Sequence, residues 1–83
     1  MNYMAEVRIE LKKGVIDAEG ETVKKSLRLL GYPVNKVRSA KVYVIDIEAE
    51  SLEKAREIIE DSCKRLLANP VIQNYSVEIK EKN

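Results

Sequence analysis

The sequence predicts an α+β fold, an antiparallel sheet of three or four strands with two helices packed on one face, in the order β-α-β(β)-α-β. Three observations predict it. Both ends of the chain alternate strictly between apolar and polar residues, two segments carry helical stripes between recognisable caps, and the connections are only a few residues long.

The first strand covers residues 3–11. Tyr3, Ala5, Val7, Ile9 and Leu11 point one way and Met4, Glu6, Arg8 and Glu10 the other, the pattern of a half-buried antiparallel strand. Lys12-Lys13-Gly14 ends it. Beyond Val15-Ile16, Asp17 is a good N-cap for a helix that runs to about Leu30, with Val23, Leu27 and Leu30 as its stripe. Gly31 stops this helix as a C′ glycine, and Pro33 prevents continuation. Gly20 is out of place in the first turn, where an interior glycine costs about 1 kcal/mol of propensity. A tight backbone approach or a distorted first turn accounts for it.

Residues 35–48 are expected to be extended. Val42, Val44 and Asp46 fall on one face and Tyr43, Ile45 and Ile47 on the other, so Val42–Ile45 is apolar on both sides and needs cover on both. The helices supply one cover, and a second copy of the chain is the simplest source of the other. Ser39-Ala40-Lys41 lacks the Asn-Gly or Gly-x signal of a tight turn, which favours a bent, nearly continuous strand over a hairpin.

Ser51 caps the second helix, with Glu53 near its positive end. Leu52, Ala55, Ile59, Cys63 and Leu66 form its buried stripe, widened by Ile58, Ser62 and Leu67, and Asn69-Pro70 terminates it. The last strand alternates again, with Tyr75, Val77 and Ile79 inward and Ser76, Glu78 and Lys80 outward. Residues 81–83 are expected to fray.

The 83 residues suit one domain, 1–83, near the small end of what folds unaided. Fifteen basic and fourteen acidic residues leave a net charge of +1, which gives no long-range pull on nucleic acid or anionic membranes. A central strand with a run of aromatics, as RNA-recognition folds use, is missing too. No apolar run reaches the roughly 18 residues of a membrane span. The opening Met1-Asn2-Tyr3-Met4-Ala5-Glu6 lacks the basic flank and apolar block of a secretory signal. Cys63 is the only cysteine and forms no internal disulfide, so a reducing, cytoplasmic setting is expected.

The same inventory argues against a stand-alone enzyme. Without histidine the usual general base near neutral pH is absent. Cys63, on an apolar stripe, reads as a small core residue. A metal ion would find only carboxylates, and these are scattered or stand four residues from a base, as in Glu50–Lys54, Glu60–Lys64 and Asp61–Arg65. That is the look of a solvated helix face. Gly14 and Gly20 do not make a phosphate loop. No catalytic residue, metal site or cofactor is expected.

Three runs carry a resemblance. Lys13-Gly14-Val15-Ile16-Asp17-Ala18-Glu19-Gly20, Leu30-Gly31-Tyr32 and Leu66-Leu67-Ala68-Asn69-Pro70-Val71-Ile72 occur in this order, over nearly the whole chain. Together they closely resemble the PurS family, the small subunit of phosphoribosylformylglycinamidine (FGAM) synthase in purine biosynthesis. Two departures stand out. The family often has proline where this chain has Ala18, and often reads Arg-x-Gly-Lys where this chain has Arg38-Ser39-Ala40-Lys41.

The resemblance implies a non-catalytic subunit, itself a dimer or tetramer. It would join a glutaminase (PurQ-like) to an ATP-dependent synthetase (PurL-like), so that ammonia is delivered to formylglycinamide ribonucleotide rather than lost. Partner contacts are then expected at Gly14, Asp17, Gly20, Arg38, Lys41, Asn69 and Pro70, and self-association at Val42 and Val44. Each also has an ordinary structural role: Asp17 as cap, Asn69-Pro70 as helix stop, Arg38 and Lys41 as solvated charges. The alternative is a small-ligand-sensing regulatory domain of similar α+β build.

Overall fold

The computed structural model describes residues 1–82. In chain order the elements are strand β1 (Asn2–Leu11), helix α1 (Ala18–Leu29), strand β2 (Ala40–Glu48), helix α2 (Leu52–Ser62), a π-helical turn over Cys63–Leu67 and strand β3 (Gln73–Lys82). The strands form one sheet in the order β2-β1-β3, antiparallel throughout. The architecture is the expected α+β, with three strands.

The register confirms the alternation read from the sequence. Ala5 lies opposite Ile45 on one side and Ile79 on the other, and Val7 lies opposite Tyr43 and Val77. Their side chains share the inner face, where Ala5, Val7 and Ile9 join Ile59, Cys63 and Ala68 in a buried cluster flanked by Ile45, Ile47, Tyr75, Val77 and Ile79. On the outer face Val42 and Val44 stand beside Arg8 and Glu6 and remain 50% and 61% exposed.

Four details differ from the sequence reading. The strand expected over 35–48 begins only at Ala40 and is a single strand, without a hairpin. Ser39 gives its N–H to the Asp17 carboxylate instead of to a neighbouring strand, so pairing starts one residue later. At the far end, Glu81 and Lys82 do not fray but continue β3, opposite Tyr3 and Asn2; Asn83 lies outside the described residues.

The third difference is in the second helix. Ala55, Ile59 and Cys63 are buried and Leu67 packs on the core as expected, but Leu66 is 82% exposed. The cause is the π-helical turn, closed by Ala68 N–H on the Cys63 carbonyl at 3.0 Å, an i→i+5 bond. One extra residue in that turn carries the inward direction past Leu66 to Leu67 and Ala68. Leu52, at the other end of the stripe, is also exposed.

The fourth concerns α1. Helix α2 lies across β1 and β3, whereas α1 makes only slight contact with the rest of the chain and buries only Gly20. Val23 and Leu30 on its stripe stay exposed. The helix itself is well terminated. Asp17 caps it, and Tyr32 N–H to Leu27 O (3.1 Å) with Gly31 N–H to Arg28 O (3.0 Å) completes a Schellman motif.

The chain is long and thin as a result, with Cα extents of 51 × 30 × 14 Å and a radius of gyration of 16.3 Å. A compact chain of this length would have a radius of about 12 Å. The core is made by α2, the π-helical turn that follows it and the sheet.

Candidate functional site

One end of the sheet gathers every residue that the sequence marks for partner contact. Here β1 ends, β2 and β3 begin, α1 starts and the π-helical turn closes. The β1 exit is a tight turn, with Val15 N–H on Lys12 O at 3.1 Å and Gly14 at φ +91°, a backbone conformation that only glycine adopts without strain. Lys12 N–H then donates to Ile72 O at 2.8 Å, tying this exit to the segment that leads into β3.

That segment is built by Asn69. Its side-chain oxygen accepts Val71 N–H (3.0 Å), its carbonyl accepts Gln73 N–H (2.8 Å), and its own N–H donates to Gln73 Oε1 (2.7 Å). Pro70 keeps Asn69 out of helical geometry, so the chain reverses within a few residues. Val71, Ile16 and Leu66, from the surrounding loops and turn, are left among the most exposed apolar side chains of the molecule.

Asp17 has the densest set of contacts. Its Oδ1 accepts Gly20 N–H at 2.9 Å, its Oδ2 accepts Ser39 N–H at 2.5 Å, and Ser39 Oγ lies 2.8 and 2.9 Å from the two oxygens. The Ser39 and Gly20 N–H donors, followed by the Ser39 hydroxyl, hold the carboxyl below the usual range. Gly20 fits only as glycine, because a Cβ there would lie 2.5 Å from the Val37 carbonyl oxygen. The oddity of Gly20 in the sequence is thus a tight backbone approach.

An open cleft runs past Lys12, Gly14, Asp17, Arg38 and Asn74, and a neighbouring hollow shares Lys12 and Asn74 and reaches Pro70. A third lies over the inner face between Asp17 and Lys41 on one side and Leu67 and Gln73 on the other. Lys41 holds its ammonium 5.8 Å from the Tyr43 ring centroid. Arg38 is exposed and adds slightly to the pull, mostly from the Arg8 hydrogen bond and charge, that lowers the Glu10 carboxyl. Ala40, where the family often has glycine, begins β2 without a positive φ, so this chain needs no special backbone geometry there.

Ser39 and the Lys12–Ile72 tie are what the sequence reading missed. A serine before a strand has no signature of its own, and its partner is 22 residues away. Elsewhere, Glu60 accepts the Tyr75 hydroxyl at 2.9 Å, which raises the Tyr75 pKa, and burial followed by the Glu60 charge pushes the Cys63 thiol up.

The model of the PurS family, described as phosphoribosylformylglycinamidine (FGAM) synthase, matches residues 4–81. The chain belongs to the PurS family. A PurS subunit of phosphoribosylformylglycinamidine synthase from Archaeoglobus fulgidus is 56% identical over 79 residues, 94% of this chain and 99% of that one. Solved PurS folds agree. PurS of Methanocaldococcus jannaschii superposes with a TM-score of 0.89 at 43% identity, covering 98% of this chain and 99% of that one. The structure of PurLQS from Thermotoga maritima contains a chain with a TM-score of 0.90 at 36% identity, covering 96% and 99%. As a member of the PurS family the chain is a subunit of FGAM synthase in purine biosynthesis. A ligand-sensing domain is not favoured.

Proposed function

We propose that this chain is a non-catalytic adaptor of FGAM synthase. It bridges a PurQ-like glutaminase and a PurL-like synthetase so that ammonia released from glutamine reaches formylglycinamide ribonucleotide. The likeness to a chain of PurLQS carries this reading. The end of the sheet supports it, because exposed apolar loop tips beside fixed backbone turns and single charges suit docking. Gly14, Asp17, Arg38, Lys41 and Pro70 line the hollows of that end, Asn69 builds the turn beside them, and Gly20 sits against Val37 next to Asp17.

Self-association through Val42 and Val44 belongs to the same reading. A chain this thin leaves β2 partly uncovered on its outer face, and a second copy supplies the cover. Among the described residues no helix is long and apolar enough to cross a membrane. Residence in the cytoplasm goes with the adaptor role.

The test is reconstitution with PurL-like and PurQ-like subunits. Glutamine-dependent formation of FGAM is expected to require this chain, while turnover fed by ammonium salt is not. Equal glutamine-dependent turnover with and without the chain would overturn the proposal. Within that assay, Arg38→Glu with Lys41→Glu is expected to weaken assembly about tenfold while leaving the circular dichroism spectrum unchanged.

A further inference from the structure

An N-cap needs one side-chain oxygen on the first turn of its helix. Asp17 does this with Oδ1 on Gly20 N–H, and then does more, since Oδ2 and the Ser39 hydroxyl reach across 22 residues to the start of β2. Beside this link the Gly20 backbone passes so close to Val37 O that no Cβ fits between them. The chain therefore leaves the sheet region at Asp17, runs out along α1, turns at Gly31 and comes back to the same point at Ser39. Along that excursion α1 buries no residue beyond Gly20, and the hollow between its first turn and Leu67 stays open.

We infer that Asp17 is the clasp of a neck, holding residues 18–38 as one rigid arm whose direction from the sheet is fixed at Asp17–Ser39 and Gly20–Val37. The geometry leaves little else to do so. Helix α1 has no apolar seam on the sheet, whereas the neck offers charge-assisted hydrogen bonds to backbone and hydroxyl donors, the stronger kind. Ser39 immediately precedes β2, so the clasp is anchored to the sheet without a flexible intervening residue. Asp17 is in this sense a positioning residue, and the inference stands whether or not the adaptor reading does.

Hydrogen exchange of the full chain, read by mass spectrometry, tests it. In Asp17→Asn, amides of Gly20–Thr22 and of Ser39 are expected to exchange about tenfold faster, while those of β1, β3 and α2 stay within about twofold of the parent. Ser39→Ala keeps the N–H contact and loses the hydroxyl, so the same regional pattern is expected at about threefold. It serves as the test should Asp17→Asn not fold. Unchanged exchange at the neck in a folded variant overturns the inference. Uniform acceleration over strands and helices overturns it too, because the carboxylate would then support the whole chain rather than the neck.

Discussion

A single absent methyl group at Gly20 decides how close the two sides of the neck come. Alanine is the better helix former there by about 1 kcal/mol, yet its Cβ would sit 2.5 Å from a backbone oxygen that cannot rotate away. Gly20→Ala is expected to destabilise by about 1–3 kcal/mol in urea unfolding, against its propensity. Asp17 gives a second residue-scale expectation. Its carboxyl titrates lower in the folded chain than in the unfolded one, so its contribution is present above the unfolded pKa of about 3.9 and fades as pH falls through the folded value. Asp17→Asn keeps the cap but offers one acceptor where two N–H groups point. The faster exchange of the variant's neck is expected at pH 7 and is expected to converge on the parent's as pH falls below about 4 and through the folded value. The sequence discloses Asp17 as a cap and Gly31 as a stop, because both act on neighbours within one helical turn. It does not disclose Ser39, whose role depends on where the fold brings it.

At the scale of elements, alternation and caps were legible and the end of the second helix was not. The caps at Asp17 and Ser51 and the inward sets of β1 and β3 stand where the residues placed them. Extending a 3.6-residue stripe beyond Ser62 puts both Leu66 and Leu67 at the buried side; the π-helical turn adds a residue and leaves only Leu67 there. Nothing in Cys63-Lys64-Arg65-Leu66-Leu67 signals that insertion, because it answers to the core above β3 and not to local propensity. The two leucines are therefore expected to differ. Leu67→Ala costs about 2 kcal/mol in denaturant unfolding, and Leu66→Ala stays within about 0.5 kcal/mol. The surface charges of α2 are equally local in their unpredictability. Of the i,i+4 pairs read from the sequence, Asp61–Arg65 forms at 3.9 Å, while Lys54 turns to Glu57 and Glu60 to the Tyr75 hydroxyl.

At the scale of the molecule, the need for cover was readable and its source was not. Val42 to Ile45 announces two apolar faces, but a helical stripe such as Val23, Leu27 and Leu30 shows only that something must lie against it, not what. In this chain α1 lies against no sheet of its own. Val42→Lys with Val44→Lys is expected to shift the sedimentation profile toward monomer, raising the dissociation constant at least about tenfold, with the fold retained because both positions are half or more exposed in the single chain. The 14 Å thickness carries one more consequence, in calorimetry. The heat-capacity step of unfolding tracks apolar area newly wetted, about 1 kcal/mol/K for a well-buried chain of this length. A slab with one thin oily layer falls short of that by itself. Any excess over the lone chain's step, growing with protein concentration, therefore measures the greasy area that copies hide from water when they meet.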